Sequence, residues 1–370
     1  MVVAIDAFAS IPFAYLRYQN RPIKFAFIKF LYVGLNIFFN LFFLVACPWL
    51  MKHAPGTIDW FYDSDYGVGY VIVANLLSTV IQTLALLPQI FSAKLNFDFL
   101  LLKKILRYSL PLLLLGIAGI MDQTLDKILF PFLRPGTEGA AELGIYGATS
   151  KIALVMLMFT QAFRYAYEPF IFAQHKDKNS MGAYADAMKF FVIFSLLIFL
   201  GMTLYIDVFK HIIKSTYWEG LNVVPIILVS FIFQGIFFNL SLWYKLTDKT
   251  LYGAYISIFG AIIIFTGNVL LVPLFSYTGA AWSTFTCYFV MMLISYYLGQ
   301  KYMPIKYDLK TIGLYSLVTI TLYLISLLID TPYPVVNIAL KSILMIAFLV
   351  LFVKRDFPLK NIPYLNRFIK

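Results

Sequence analysis

Eleven long apolar stretches, divided by short polar loops, run the length of this chain. A helix crosses a hydrocarbon core in about 20 residues, and stretch after stretch meets that length. Backbone in lipid must satisfy its own hydrogen bonds, so such stretches become helices rather than open strands. The spans fall near 1–16 (partial), 25–48, 67–91, 109–133, 144–173, 187–208, 221–244, 250–275, 278–298, 311–329 and 335–353. The expected fold is an all-α polytopic membrane protein of about 11 transmembrane helices. With 61% hydrophobic and 13% charged residues, the chain lacks the polar surface of a soluble domain. The net charge of +11 does not point to nucleic acid, because its cations flank the spans.

Those flanking cations orient the chain. Nineteen Lys and Arg, from Arg17, Arg21 and Lys24 through to Lys354, Arg355, Lys360, Arg367 and Lys370, fall in one set of alternate loops and the C-terminal tail. The other set holds Lys52, Arg134, Lys210 and Lys214. The positive-inside rule makes the first set and the C-terminus cytoplasmic, and sends the segment from Trp49 to Tyr66 and the turn around Tyr277 outward. Met1 runs into apolar sequence without a basic leader, so the start reads as the second half of a membrane helix ending at Arg17, not as a signal peptide. On parity, three earlier helices would complete a set of fourteen.

Charge at the centre of a membrane helix costs about 2.5–3.5 kcal/mol, so each such residue is informative. The sequence gathers them in one hairpin: Asp122, Asp126 and Lys127 on span 109–133, and Lys151, Arg164 and Glu168 on span 144–173. Asp126 and Lys151 lie at similar depth and can pair across it; Arg164 and Glu168, four apart, can pair within one helix. Alternatively Lys127, Lys151 and Arg164 line a water-filled cavity and attract an anion, while Asp122, Asp126 or Glu168 binds a proton or sodium ion or serves in structural pairing. Prolines 12, 88, 111, 131, 169, 225 and 273 bend the spans, which suits a moving transporter slightly better than a rigid anchor. Asn36 with Asn40, and Asn75 with Gln82, share helix faces and read as interhelical glue.

Signals for an enzyme are weak. Asp63-Ser64-Asp65 has the spacing of a metal-binding D-x-D, yet it lies in a short outer loop and reads better as a solvated turn. His53, His175 and His211 sit in separate loops, Cys47 and Cys287 read as small buried hydrophobes, and no phosphate-binding Gly-rich loop occurs. No cofactor or metal is expected, and transport rather than catalysis is the reading.

From Tyr108 to about Lys310 the chain resembles the bacterial polysaccharide (O-antigen, lipid-linked oligosaccharide) flippases of the multidrug/oligosaccharidyl-lipid/polysaccharide superfamily. The resemblance rests on Asp126-Lys-Ile-Leu, Leu143-Gly-Ile-Tyr-Gly-Ala-Thr-Ser-Lys151-Ile-Ala, Gln161-Ala-Phe-Arg164-Tyr-Ala-Tyr-Glu168-Pro169-Phe, Asp248-Lys249-Thr250 and Gly279-Ala-Ala-Trp282-Ser-Thr, in that order. Arg17-Tyr-Gln-Asn-Arg21-Pro is similar to the loop after that family's fourth helix. It implies a MATE-like two-lobe helical bundle: 1–107 as the remainder of the N-terminal lobe, 108–300 as a six-helix C-terminal lobe, and 301–370 as two accessory helices with a basic cytoplasmic tail. It implies a substrate linked to an isoprenoid pyrophosphate, moved to the outer leaflet of a bacterial inner membrane for lipopolysaccharide, capsule or other surface polysaccharide, with polysaccharide assembly proteins as partners. Lys127, Lys151 and Arg164 are then the cations for the pyrophosphate. An ion-coupled drug or metabolite antiporter of the same superfamily, led by Asp122 and Asp126, and a membrane polysaccharide polymerase or ligase remain as alternatives.

Overall fold

In a computed structural model the chain is all helical, with thirteen α-helices among the described residues. The structure describes residues 1–19, 21–54, 56, 58–91, 98–174, 180–247, 249–329 and 331–356; within them it leaves out the side chains of 17, 22, 107, 108, 110–112, 114–123, 168–174 and 180. The basic tail beyond 356 therefore lies outside the described residues. By contacts the chain divides into Met1–Lys104 and Ile105–Lys370.

The first unit holds α1 (Val2–Tyr18), α2 (Pro22–Leu41), α3 (Cys47–His53) and α4 (Gly69–Phe91). Pro22 opens α2, where a missing N–H costs nothing because first-turn donors have no helical acceptor. A π-helical segment, Phe42–Ala46, joins α2 to α3. It lies just ahead of Pro48, which cannot donate to the preceding turn, and a widened turn is one way a helix absorbs that loss. Ala9, Phe13, Leu16, Ile28 and Leu86 form one apolar core between α1, α2 and α4. Phe43, Cys47, Ile58, Tyr62, Tyr70 and Ala74 form a second beneath the loop between α3 and α4. There the Asp63 carboxylate accepts from the Asp65 backbone N–H at 2.9 Å, so Asp63-Ser64-Asp65 is a self-capped turn.

Helix α5 (Phe99–Leu133) continues into the second unit, followed by α6 (Thr137–Gln174), α7 (Ser180–Leu204) and the short α8 (Ile206–Phe209). Then come α9 (Val224–Leu240), the short α10 (Leu242–Leu246), α11 (Thr250–Tyr302), α12 (Leu309–Leu327) and α13 (Pro334–Arg355). Eight helices among the described residues are long and apolar enough to cross a membrane. The 53 residues of α11 supply both spans expected over 250–298, because Ser276 breaks the helix with φ 52° and ψ −136°.

Helix α9 is apolar on every side and packs against α6, α7 and α11, as a helix hydrophobic all round must be covered all round. Gly235 permits its approach to α7: a Cβ there would collide with the Phe191 ring. The α5–α6 turn closes through Gly136 at φ 97°, a conformation that L side chains avoid. Arg134 locks this turn, bonding the Glu142 carboxylate through Nε at 2.9 Å and Nη2 at 2.7 Å and the Pro273 carbonyl at 3.3 Å. The break at Ser276 disturbs the helical ladder beyond Pro273, and Arg134 offers its carbonyl a charged donor instead.

Helix α13 is fastened near both ends. Lys341 reaches Asp207 at 3.3 Å and Ser342 meets the Tyr205 hydroxyl at 2.8 Å. Asp356, just past α13, lies 3.7 Å from Lys189 of α7 and accepts from the Tyr315 hydroxyl of α12 at 2.8 Å. Lys189 and Lys341 are thus span lysines neutralised by carboxylates at helix ends.

Candidate functional site

The α5–α6 hairpin carries the charges that the sequence singles out. Asp126 is 5% exposed, and its carboxylate accepts the Tyr146 hydroxyl at 2.6 Å and the Lys127 backbone N–H at 2.8 Å. Thr284 and Tyr288 of α11 lie beside the Tyr146 hydroxyl. Tyr288 in turn accepts from the Gln234 side chain of α9 at 2.8 Å, while the other end of that amide, Oε1, is buried without a partner. A polar chain thus runs through four helices inside an apolar body, from a carboxylate to an unsatisfied amide oxygen. Such a chain can hold a proton or a small monovalent cation, since both want a carboxylate backed by neutral oxygens.

Asp126 makes no ion pair with Lys151 among the described residues; that expected pairing is replaced by Tyr146. The reason is rotational. Tyr146 and Lys151 are five residues apart on α6, about 140° around the helix, so the face that offers Tyr146 to α5 turns Lys151 away. Lys151 is exposed on that other side. Lys127 is half-buried, its ammonium 5.7 Å from the Tyr146 ring. Arg164 is half-buried too, its guanidinium 5.2 Å from the Phe238 ring, beside a small cleft edged by Thr160, Gly235 and Asn239. Asp122 and Glu168 have helical backbone, but their side chains lie outside the described residues, and with them the expected Arg164–Glu168 pair. Among the described residues no three His, Cys, Asp or Glu gather as metal ligands, and Cys47 and Cys287 are buried free thiols.

Sequence reasoning missed five charges inside helices: Asp6 on α1, Lys29 on α2, Lys189 on α7, Asp207 on α8 and Lys341 on α13. A count by span would have found them, since each falls inside an expected span. Tyr146 stands in a quoted motif, yet nothing in the sequence assigns it to Asp126.

The second unit also holds an apolar groove of about 430 Å³ between α7, α9, α11 and α12, lined by Leu196, Ile232, Phe233, Met292, Ile312 and Ile320 among others. The first unit holds a polar cavity of about 360 Å³ between α1, α2 and α4.

No protein-family model matches the chain, and no curated protein matches it in sequence. A solved structure described as "Lipid II flippase MurJ, inward closed conformation" is similar to it, with a TM-score of 0.65 and 13% identity, over 85% of this chain and 66% of that one. The chain thus spans just under two thirds of that flippase's length. At this identity the likeness is one of fold alone, a bundle of apolar helices long enough to cross a membrane.

Proposed function

We propose that the protein is a flippase that carries isoprenoid-pyrophosphate-linked oligosaccharide units across a bacterial inner membrane for surface polysaccharide. The observation that carries this reading is the α5–α6 hairpin, whose helices carry Lys127, Lys151 and Arg164, with Lys127 next to the buried Asp126. The fold shared with a lipid II flippase supports it. Sugar hydroxyls cross hydrocarbon only at high cost, so a carrier must shelter them while the lipid stays in the bilayer. Pyrophosphate wants cations, and Lys151 and Arg164 are the ones on α6, with Lys127 at the end of α5. The apolar groove of the second unit suits an isoprenoid chain, since it offers apolar wall at the edge of the helical body. Asp126 fits ion coupling: emptying or filling the Asp126–Tyr146 site changes the charge that four packed helices must accommodate. Asp122, four residues earlier on α5, is the second carboxylate proposed for that role. The cytoplasmic C-terminus and the two-lobe organisation belong to the same proposal.

Expression in a bacterium lacking its own flippase tests it. The wild-type chain, and the open reading frame extended to any upstream start, should restore surface polysaccharide. Lys151→Gln and Arg164→Gln should cut export at least tenfold at normal membrane abundance. Export that persists undiminished in both variants removes these cations from substrate binding. Asp126→Asn should abolish dependence on a proton or sodium gradient; unchanged gradient dependence would leave Asp126 a structural residue. The antiporter reading gains if neither open reading frame restores polysaccharide and Asp126→Asn blocks ion-driven drug efflux.

A further inference from the structure

The polar cavity of the first unit is lined by residues of α1, α2 and α4 alone. Asp6 and Ser10 line it from α1, Lys29 and Tyr32 from α2, and Gln82 from α4, with Phe13 and Phe25 as its apolar walls. Its volume of about 360 Å³ lies in the range of small-ligand sites.

Three features separate it from a packing defect. First, among the described residues Asp6 and Lys29 make no ion pair, with each other or with any other residue, although they face one cavity from neighbouring helices. The Lys29 ammonium instead stands 4.3 Å from the Phe13 ring. An ammonium and a carboxylate in apolar helices are costly unless a polar space solvates them. Second, Gln82 is 2% exposed, and its Oε1 is buried without a hydrogen-bond partner. Third, Lys29, Tyr32, Asn36 and Asn40 recur at helical spacing along one side of α2. The Tyr32 hydroxyl donates to Asn75 Oδ1 at 2.7 Å and Asn36 donates to the same oxygen at 3.3 Å, so this stripe faces α4. Lys29 lies about 10 Å along α2 from Pro22, and Gln82 about 13 Å from the end of α4 at Phe91, so both sit well inside the bilayer rather than at its surface.

The chemistry names the ligand class. Lys29 offers three donors and a full charge to a phosphate oxygen. Asp6 only accepts, so it repels a bare phosphate and suits the hydroxyl donors of a sugar. Ser10, whose hydroxyl donates to the Ala7 carbonyl at 2.7 Å, can accept; Gln82 can give or take hydrogen bonds, and Tyr32 retains a lone pair. Phe13 and Phe25, edge to face at 5.3 Å, form the wall on which a sugar's C–H face can rest. We infer that the first unit holds a second headgroup site, in which Lys29 binds the phosphate and Asp6 the adjoining sugar of a glycosyl-phosphate lipid. This rests on the flippase reading but uses none of the residues assigned to it above.

The full chain in zwitterionic phospholipid nanodiscs should be titrated with farnesyl-pyrophosphoryl-N-acetylglucosamine, with farnesyl pyrophosphate, and with inorganic pyrophosphate. Lys29→Gln should weaken both farnesyl probes at least tenfold, Lys29→Arg should retain binding, and Asp6→Asn should weaken the sugar-bearing probe alone. Unchanged melting temperatures would show that each variant is folded. Loss of binding in Lys151→Gln or Arg164→Gln with wild-type affinity in Lys29→Gln overturns this site and leaves the flippase reading standing. Absence of wild-type binding for every probe overturns both. Equal weakening of the bare and sugar-bearing probes by Asp6→Asn overturns the sugar assignment.

Discussion

The two units of this chain solve one problem in opposite ways. In the second unit the membrane carboxylate Asp126 is buried, and Tyr146, the Lys127 backbone and a polar chain through α9 and α11 compensate it. In the first unit Asp6 and Lys29 make no ion pair among the described residues and border an open polar cavity. Burial with partners makes a charge part of the packing; exposure to a cavity keeps it available to a ligand. The first arrangement stabilises the fold and the second is a cost to it, which is why their mutational signatures should differ in sign.

The largest expected effect is at Asp126. Asp126→Leu strands the Tyr146 hydroxyl in a buried site and should cost about 3 kcal/mol in denaturant titration of the purified protein. A loss below about 1 kcal/mol would mean that the network is not structural. Next comes Arg134→Ala, which removes a charged bidentate pair to Glu142 and the donor to Pro273; about 2 kcal/mol should be lost in the same assay. Lys29→Leu should act the other way, leaving stability unchanged or raising it by about 1 kcal/mol while removing the cavity's cation. Clear destabilisation there would end the contrast between the units. The smallest effect concerns pH. The hydrogen bond from Lys210, with help from Lys341, holds the Asp207 carboxyl below the usual carboxylate range. A lowered folded value means stabilisation that is present above the unfolded value near pH 4 and lost as pH falls through the lower folded one. Asp207 is half-exposed, so this amounts to less than about 1 kcal/mol. Melting curves below pH 4 should show it, and Asp207→Asn should flatten that dependence.

Much of the architecture was legible in the residues themselves. Hydropathy alone marks the spans, including the two that Ser276 separates within α11, and the D-x-D in a short loop reads as the turn it is. Asn36 and Asn75 read as interhelical glue, and they meet through one oxygen. The candidate site was legible only in part. Asp126 and Arg164 could be singled out by the cost of charge in lipid, but the same rule applied evenly would have raised Lys29, Lys189 and Lys341. Lys189 and Lys341 prove to be neutralised by Asp356 and Asp207, carboxylates at helix ends far off in sequence.

Sequence by itself determined that this chain crosses a membrane many times as helices, because the length and polarity of each stretch are properties of consecutive residues. It also determined which residues carry unusual charge. Tertiary structure alone decided that Tyr146, not Lys151, serves Asp126, and that Asp6, Lys29 and Gln82 share one cavity. Hydropathy says how deep a residue lies but not how its helix is rotated, and rotation is set by packing against helices distant in the chain.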